Sequence, residues 1–184
     1  MTSVLFVCLG NICRSPLAEA AFRAEAERLG LQVEVDSAGT GDWHVGRPPD
    51  RRATAVAGRN GVDISHLRAR QVRPEDFDDF DHIVALDRQN FRDLQRLRPP
   101  GGRAELSLLL DHVAGREGQA VADPYYGGDA DFDTAWADAT AGARALARRI
   151  AATGLSSGQT KESPQSATGL SPGQAEESPQ SEGR

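Results

Sequence analysis

Apolar positions along this chain follow two rhythms that take turns. Val4-Leu5-Phe6-Val7 is an unbroken β-rich run and predicts a strand over Ser3 to Cys8. Pro16 to Leu29 spaces its apolar residues at helical intervals and is closed by Gly30, after which Val33 to Ala38 reads as a second strand. Pro49 to Arg59 predicts a helix stopped near Asn60-Gly61, and His82 to Leu86 a buried strand. Arg88 to Leu97 predicts a helix ended by Pro99-Pro100, Ala104 to Leu110 a fourth strand, and alanine-rich Phe132 to Ala152 the closing helix. Such alternation specifies an α/β fold: a four-stranded parallel twisted sheet with helices on both faces. Ligands of these sheets bind at the carboxyl ends of strands, which places the residues around Cys8 at the functional edge.

The pattern stops after Ile150-Ala151-Ala152. Residues 153 to 184 are mostly Ser, Gly, Gln, Pro and Glu, and Thr153-Gly154-Leu155-Ser156 recurs fifteen positions on as Thr168-Gly169-Leu170-Ser171. Two copies with one leucine each cannot bury a core, so we expect a domain over 1–152 and a disordered tail over 153–184. The pairs Ser163-Pro164, Ser171-Pro172 and Ser178-Pro179 offer modification sites, against the plainer reading of an inert duplicated linker.

Composition narrows the setting. A net charge of -6 disfavours nucleic acid as a partner. No apolar run can span a bilayer and no leader pattern opens the chain, so we expect no membrane association. Two cysteines make no disulfide framework; the expected compartment is reducing, the cytoplasm by default.

The chemistry gathers where the first strand ends. In Cys8-Leu9-Gly10-Asn11-Ile12-Cys13-Arg14-Ser15-Pro16 a thiol and an arginine are separated by five residues, in a loop between strand and helix. Gly10 and Asn11 permit positive φ, while Ser15-Pro16 supplies a cap-type residue and a first-turn proline. Backbone N–H groups of such a loop can turn around an anion, aided by the positive end of the helix dipole. The same field favours thiolate over thiol, which makes Cys8 the expected nucleophile, and Arg14 offers a planar fork to two phosphate oxygens. The plainer alternative is a buried strand-end thiol beside a solvated arginine. Cys13 is either a packing residue or a disulfide partner of Cys8.

Attack on a phosphoryl group leaves an oxygen that needs a proton. Asp123 in Asp123-Pro124-Tyr125-Tyr126-Gly127-Gly128 is the candidate acid, on a stiffened turn between the last strand and the last helix, and the charge of a bound phosphate favours its protonated form. The alternative is an ordinary Asp-Pro turn. The run Asp129, Asp131, Asp133 reads as a solvated helix start, or as a rim that selects substrates by charge. No metal site is expected, because the four histidines are scattered and both cysteines lie in the loop; no cofactor is expected either.

The two motifs together, with Ser37-Ala38-Gly39-Thr40, Trp43-His44-Val45-Gly46, His66-Leu67-Arg68-Ala69-Arg70-Gln71 and Asp76-Phe77 between them, resemble the low-molecular-weight protein tyrosine phosphatases over roughly residues 3–150. The resemblance implies hydrolysis of phosphotyrosine through a cysteinyl-phosphate, with Cys8 as nucleophile, Arg14 as phosphate clamp and Asp123 as acid. It further implies that Leu9, Gly10, Asn11, Ile12 and Cys13 form the phosphate loop and that Ser15 stabilises the departing thiolate. Asn11, Ser37 and His66 would brace the loop, and Trp43, Tyr125 and Tyr126 would wall a slot for an aromatic ring. Substrates would be phosphotyrosine proteins, and a tyrosine kinase could act on Tyr125 or Tyr126. Leu86 stands before Asp87 where many relatives have methionine, an apolar exchange of little consequence.

Three rival readings remain. A thiol-dependent arsenate reductase would need resolving cysteines downstream, and none follows Cys13. A phosphoarginine phosphatase is disfavoured because Ile12 resembles the tyrosine-specific members, whereas the arginine-specific ones resemble threonine there. A non-catalytic phosphoprotein-binding module would have no reason to keep Cys8, Arg14 and Asp123 together.

Overall fold

The computed structural model describes residues 1–157, and the tail read from the sequence lies, beyond Ser157, outside them. The chain runs β1 (Thr2–Cys8), α1 (Arg14–Arg28), β2 (Val33–Gly39), α2 (Arg51–Arg59), α3 (Asp76–Asp79), β3 (His82–Ala85), α4 (Arg88–Leu97), β4 (Glu105–Leu108), a 3-10 turn (Leu109–His112) and α5 (Asp129–Ser157). All strand pairs are parallel, in the order β2-β1-β3-β4. The chain leaves β1 toward one side for β2 and later returns on its other side as β3, so a crevice opens at the carboxyl end of β1.

Alternation along the central strands feeds two cores. Val4, Phe6 and Cys8 of β1 join Leu17 and Phe22 of α1, Val56 of α2 and Leu146 of α5 on one face. Leu5 and Val7 join Phe77 of α3, Ile83 of β3 and Leu94 of α4 on the other. Each large side chain so buried contributes roughly 1.5–3 kcal/mol, and Phe6 and Phe22 add a tilted ring contact at 5.5 Å. Helix α1 stops in a Schellman arrangement: Gly30 takes φ 67°, its N–H reaches the carbonyl of Glu27, and the N–H of Leu31 reaches that of Ala26.

The structure corrects several boundaries. α1 begins at Arg14, so Ser15 lies inside the first turn and does not cap it; its hydroxyl is turned to the thiol instead. α2 begins at Arg51 because Asp50 caps it, accepting the N–H of Arg52. β4 ends at Leu108: Leu109 and Leu110 leave the sheet in a 3-10 turn and bury themselves fully, Leu109 against α5 where Gly142 has no side chain to obstruct it. α5 starts at Asp129, its acidic first turn meeting the positive end of the dipole, and continues to Ser157, five residues beyond the expected domain edge. The short helix α3 is an addition to the elements read from the sequence.

Candidate active site

Cys8 ends β1 with its side chain 2% exposed, at the floor of a cleft of about 300 Å³. The chain reverses through Asn11, the one non-glycine residue with positive φ (55°) among those described. Gly10 was expected to share that role, but its φ is not positive; it serves by being small, since a Cβ there would lie 3.0 Å from the His44 ring. Gly39 at the end of β2 is needed for a related reason, because a Cβ would press to 2.8 Å from the carbonyl oxygen of Leu9.

The polar atoms beneath the loop form a chain of hydrogen bonds with a fixed sense. Asn11 Oδ1 accepts the backbone N–H of Arg70 (2.9 Å), which leaves its amide nitrogen to donate to Ser15 Oγ (2.9 Å) and Ser37 Oγ (3.0 Å). Ser37 then donates onward to the buried carboxylate of Glu19 (2.7 Å). Ser15, whose oxygen already accepts, can turn its hydroxyl hydrogen to Cys8 Sγ, 3.0 Å away, in preference to the more distant carbonyl of Ala38 (3.4 Å), and the sulfur also accepts the N–H of Asn11 (3.3 Å). Burial pushes the Glu19 carboxyl up, while bonds from Ser37 and Arg23 oppose that shift.

His66 does not belong to this network. Ile64 and Leu67 turn toward the core while Ser65 and His66 between them are exposed, and none of the Asn11 bonds reaches His66. The backbone of Arg70 takes the bracing position that was assigned to His66.

Arg14 is 3% exposed. Nη1 donates to Asp87 Oδ2 (2.6 Å) and the carbonyl of Val121 (3.1 Å), and Nη2 donates to Asp123 Oδ2 (3.1 Å). The guanidinium carries five N–H groups, so its Nε side keeps donors for an oxyanion. Burial works against its charge, but Cys8, Asp87 and Asp123 outweigh that effect and raise its pKa. Asp87, which caps α4 by accepting the Asn90 N–H (2.7 Å), was not singled out as an Arg14 partner from the sequence; its place just after a strand was the available signal. Burial, followed by the charge of Asp50, pushes the Cys13 thiol up and favours its neutral form, and both cysteines are free in this structure.

Asp123 Oδ1 accepts the N–H of Tyr125 (3.2 Å), which fixes the carboxyl at the cleft wall. Arg52 secures the same loop from α2, donating to the carbonyls of Tyr125 and Gly127 (3.0 Å each). The rim is aromatic and open: Trp43 is 70%, Tyr125 38% and Tyr126 97% exposed, with the two tyrosine rings edge to face at 5.0 Å. Leu9, Ile12 and Cys13 line the walls, and His44, missed in the sequence, joins them beside Tyr125 with ring centres 6.4 Å apart. Among the described residues no cluster of His, Cys, Asp or Glu has the makings of a metal site, and no helix is long and apolar enough to cross a membrane.

A buried thiol at a strand end, a left-handed corner, an arginine at the helix start and a carboxyl on the opposing loop define a phosphate-handling thiol site on a flavodoxin-like sheet. Residues 3–155 match the family model for low molecular weight phosphotyrosine protein phosphatases, and the chain belongs to that family. It is 48% identical over 132 residues to the low molecular weight phosphotyrosine protein phosphatase of Schizosaccharomyces pombe, covering 70% of this chain and 84% of that one. The low molecular weight protein-tyrosine-phosphatase YfkJ of Bacillus subtilis is 45% identical over 131 residues, covering 70% of this chain and 84% of that one. Its crystal structure superposes with a TM-score of 0.77, covering 83% of this chain and 96% of that one. A Drosophila arginine phosphatase has the same fold at 31% identity and a TM-score of 0.76, covering 82% and 98%.

Proposed function

We propose that this protein hydrolyses aryl phosphate monoesters, phosphotyrosine in proteins above all, by two successive transfers of a phosphoryl group. The phosphate dianion is received by the loop N–H groups and the Nε edge of Arg14. Cys8 thiolate attacks phosphorus in line: an S–P bond forms, the P–O bond to the ring breaks, and Asp123 gives its proton to the departing phenolate. Water then attacks the cysteinyl-phosphate, Asp123 takes a proton from it, and the S–P bond breaks to return thiolate and inorganic phosphate. Ser15 supports the sulfur as it leaves, through the hydroxyl that the Asn11 amide has aimed at it. One observation carries the reading: Cys8, Arg14 and Asp123 converge on one cleft whose rim is built of Trp43, Tyr125 and Tyr126, the shape of a phosphorylated ring.

The scaffold alone does not choose the phosphorylated group, as the arginine phosphatase neighbour makes plain. Ile12 on the cleft wall favours the flat aryl ester. The free thiols favour a reducing compartment, and we place the protein in the cytoplasm. Tyr126, nearly fully exposed, is open to a kinase.

The test is turnover of phosphotyrosine peptide, phosphoarginine and p-nitrophenyl phosphate side by side. We expect the aryl esters to react and phosphoarginine to lag. Cys8→Ser should abolish turnover while still binding phosphate. Asp123→Ala should cost about 10²–10⁴ in rate with poor leaving groups and less with good ones. An equal loss across leaving groups would remove Asp123 from the acid role, and faster turnover of phosphoarginine would replace the substrate class.

A further inference from the structure

The segment Ala69–Val72 lies along the outer edge of β2, and its connections single out Arg70. The N–H of Gly39 donates to the Arg70 carbonyl (2.8 Å) and the N–H of Val72 to the Gly39 carbonyl (2.8 Å), which continues the sheet for one residue past β2. In between, the Arg70 N–H donates to Asn11 Oδ1 (2.9 Å). That bond decides which end of the Asn11 amide faces which neighbour. A primary amide with its oxygen held must present both hydrogens on the other side, and here they meet Ser15 and Ser37.

The Arg70 side chain has no contact with the cleft. Nε donates to Asp36 Oδ2 of β2 (2.8 Å), and the two terminal nitrogens donate to Asp76 Oδ2 (3.0 Å) and Oδ1 (3.2 Å) at the start of α3. Asp76 is 1% exposed and also accepts the N–H of Arg73 (2.8 Å), so it anchors the segment at two points. A guanidinium that bridges a strand and a helix through two carboxylates cannot shift without breaking both, and it carries its own backbone N–H with it.

We propose that Arg70 is a positioning residue for the catalytic loop: its fork, gripped by Asp36 and Asp76, fixes the backbone N–H that orients Asn11, and through Asn11 the Ser15 hydroxyl and the left-handed corner beside Cys8. The inference rests on the proposed phosphatase reading. Loosening the fork lets the amide turn, which misdirects the Ser15 hydroxyl and widens the phosphate ring while every atom of the cleft is still present.

The test compares wild type, Arg70→Ala and Arg70→Lys on p-nitrophenyl phosphate, with inhibition by inorganic phosphate and alkylation of Cys8 by iodoacetate against pH, all normalised to folded protein. Wild-type turnover checks the phosphatase reading on its own; if wild type is inert, that reading fails before Arg70 is judged. With wild type active, Arg70→Ala should lower kcat and weaken phosphate inhibition by about tenfold or more, and shift the pH profile of alkylation. Arg70→Lys, able to hold one carboxylate, should fall between. Arg103→Ala, at an exposed ion pair on the far side of α3, should match wild type. If Arg70→Ala does not fold, Arg70→Lys decides by the same readings. Lower thermal stability with unchanged kcat, phosphate inhibition and alkylation profile would make Arg70 a structural residue only and overturn the proposal.

Discussion

Asp87 holds Arg14 where the loop by itself could not. An arginine this buried needs a countercharge, and the 2.6 Å bond to Asp87 supplies one while setting the plane of the fork. Asp87→Asn keeps an acceptor for the Asn90 N–H but removes the charge, at about 1.5–3 kcal/mol for a charge-assisted hydrogen bond. We therefore expect phosphate inhibition to weaken by about tenfold or more, with a smaller fall in the denaturation midpoint, both measurable on one preparation. That Cys8 and Arg14 share a loop and Asp123 a turn was legible because their neighbours announce both, and the structure brings the three to one cleft. Asp87 was not, because its pairing with Arg14 spans 73 positions and leaves no local spacing to read. His66 was misplaced for the opposite reason: its neighbourhood matched a pattern, while the inward turn of Leu67 left it outside.

Among elements, the 3-10 turn after β4 carries a pH consequence. Burial, with Arg149 adding to it, pushes His112 down to about 4, and Ser107 Oγ lies 3.0 Å from its Nε2. The folded pKa lies below the unfolded one, so between about pH 6.5 and pH 4 the unfolded chain binds more protons and stability falls as pH falls. Above that window the histidine is neutral in both states and contributes no slope. The ceiling is about 3 kcal/mol, reduced by the part of the ring that meets solvent. His112→Gln should flatten the dependence, read as urea midpoints at about pH 7 and pH 4.5. All four strands and the long helices were visible in the periodicity. This turn was not, since Leu109 and Leu110 extend an apolar run without marking where it leaves the sheet, and Gly142, which receives Leu109, lies on another element.

At the scale of the whole molecule, the two ends of the sheet are separate territories. The last described turn of α5, with Gly154, lies by Met1, Thr2, Val33 and His82 at the amino ends of the strands, whereas Cys8 lies at the carboxyl end. Removing residues 158–184 should leave kcat and KM on p-nitrophenyl phosphate unchanged; a large drop would make those residues part of the site. A cut after Ala152 would instead trim the helix itself, close to buried Ile150.

The link between Arg14 and Asp123 sets a condition on ligands. In the proposed reaction the dianion docks on the Nε side of the same cation that holds Asp123, so its arrival weakens the Arg14–Asp123 link and frees the proposed proton donor. An uncharged aromatic compound can fill the slot between Trp43 and Tyr126 and leave that latch closed, whereas an arylphosphonate opens it yet offers no bridging ester oxygen to protonate. Tight inhibitors of this cleft should therefore be chosen for how they treat the latch, with ring shape a secondary matter.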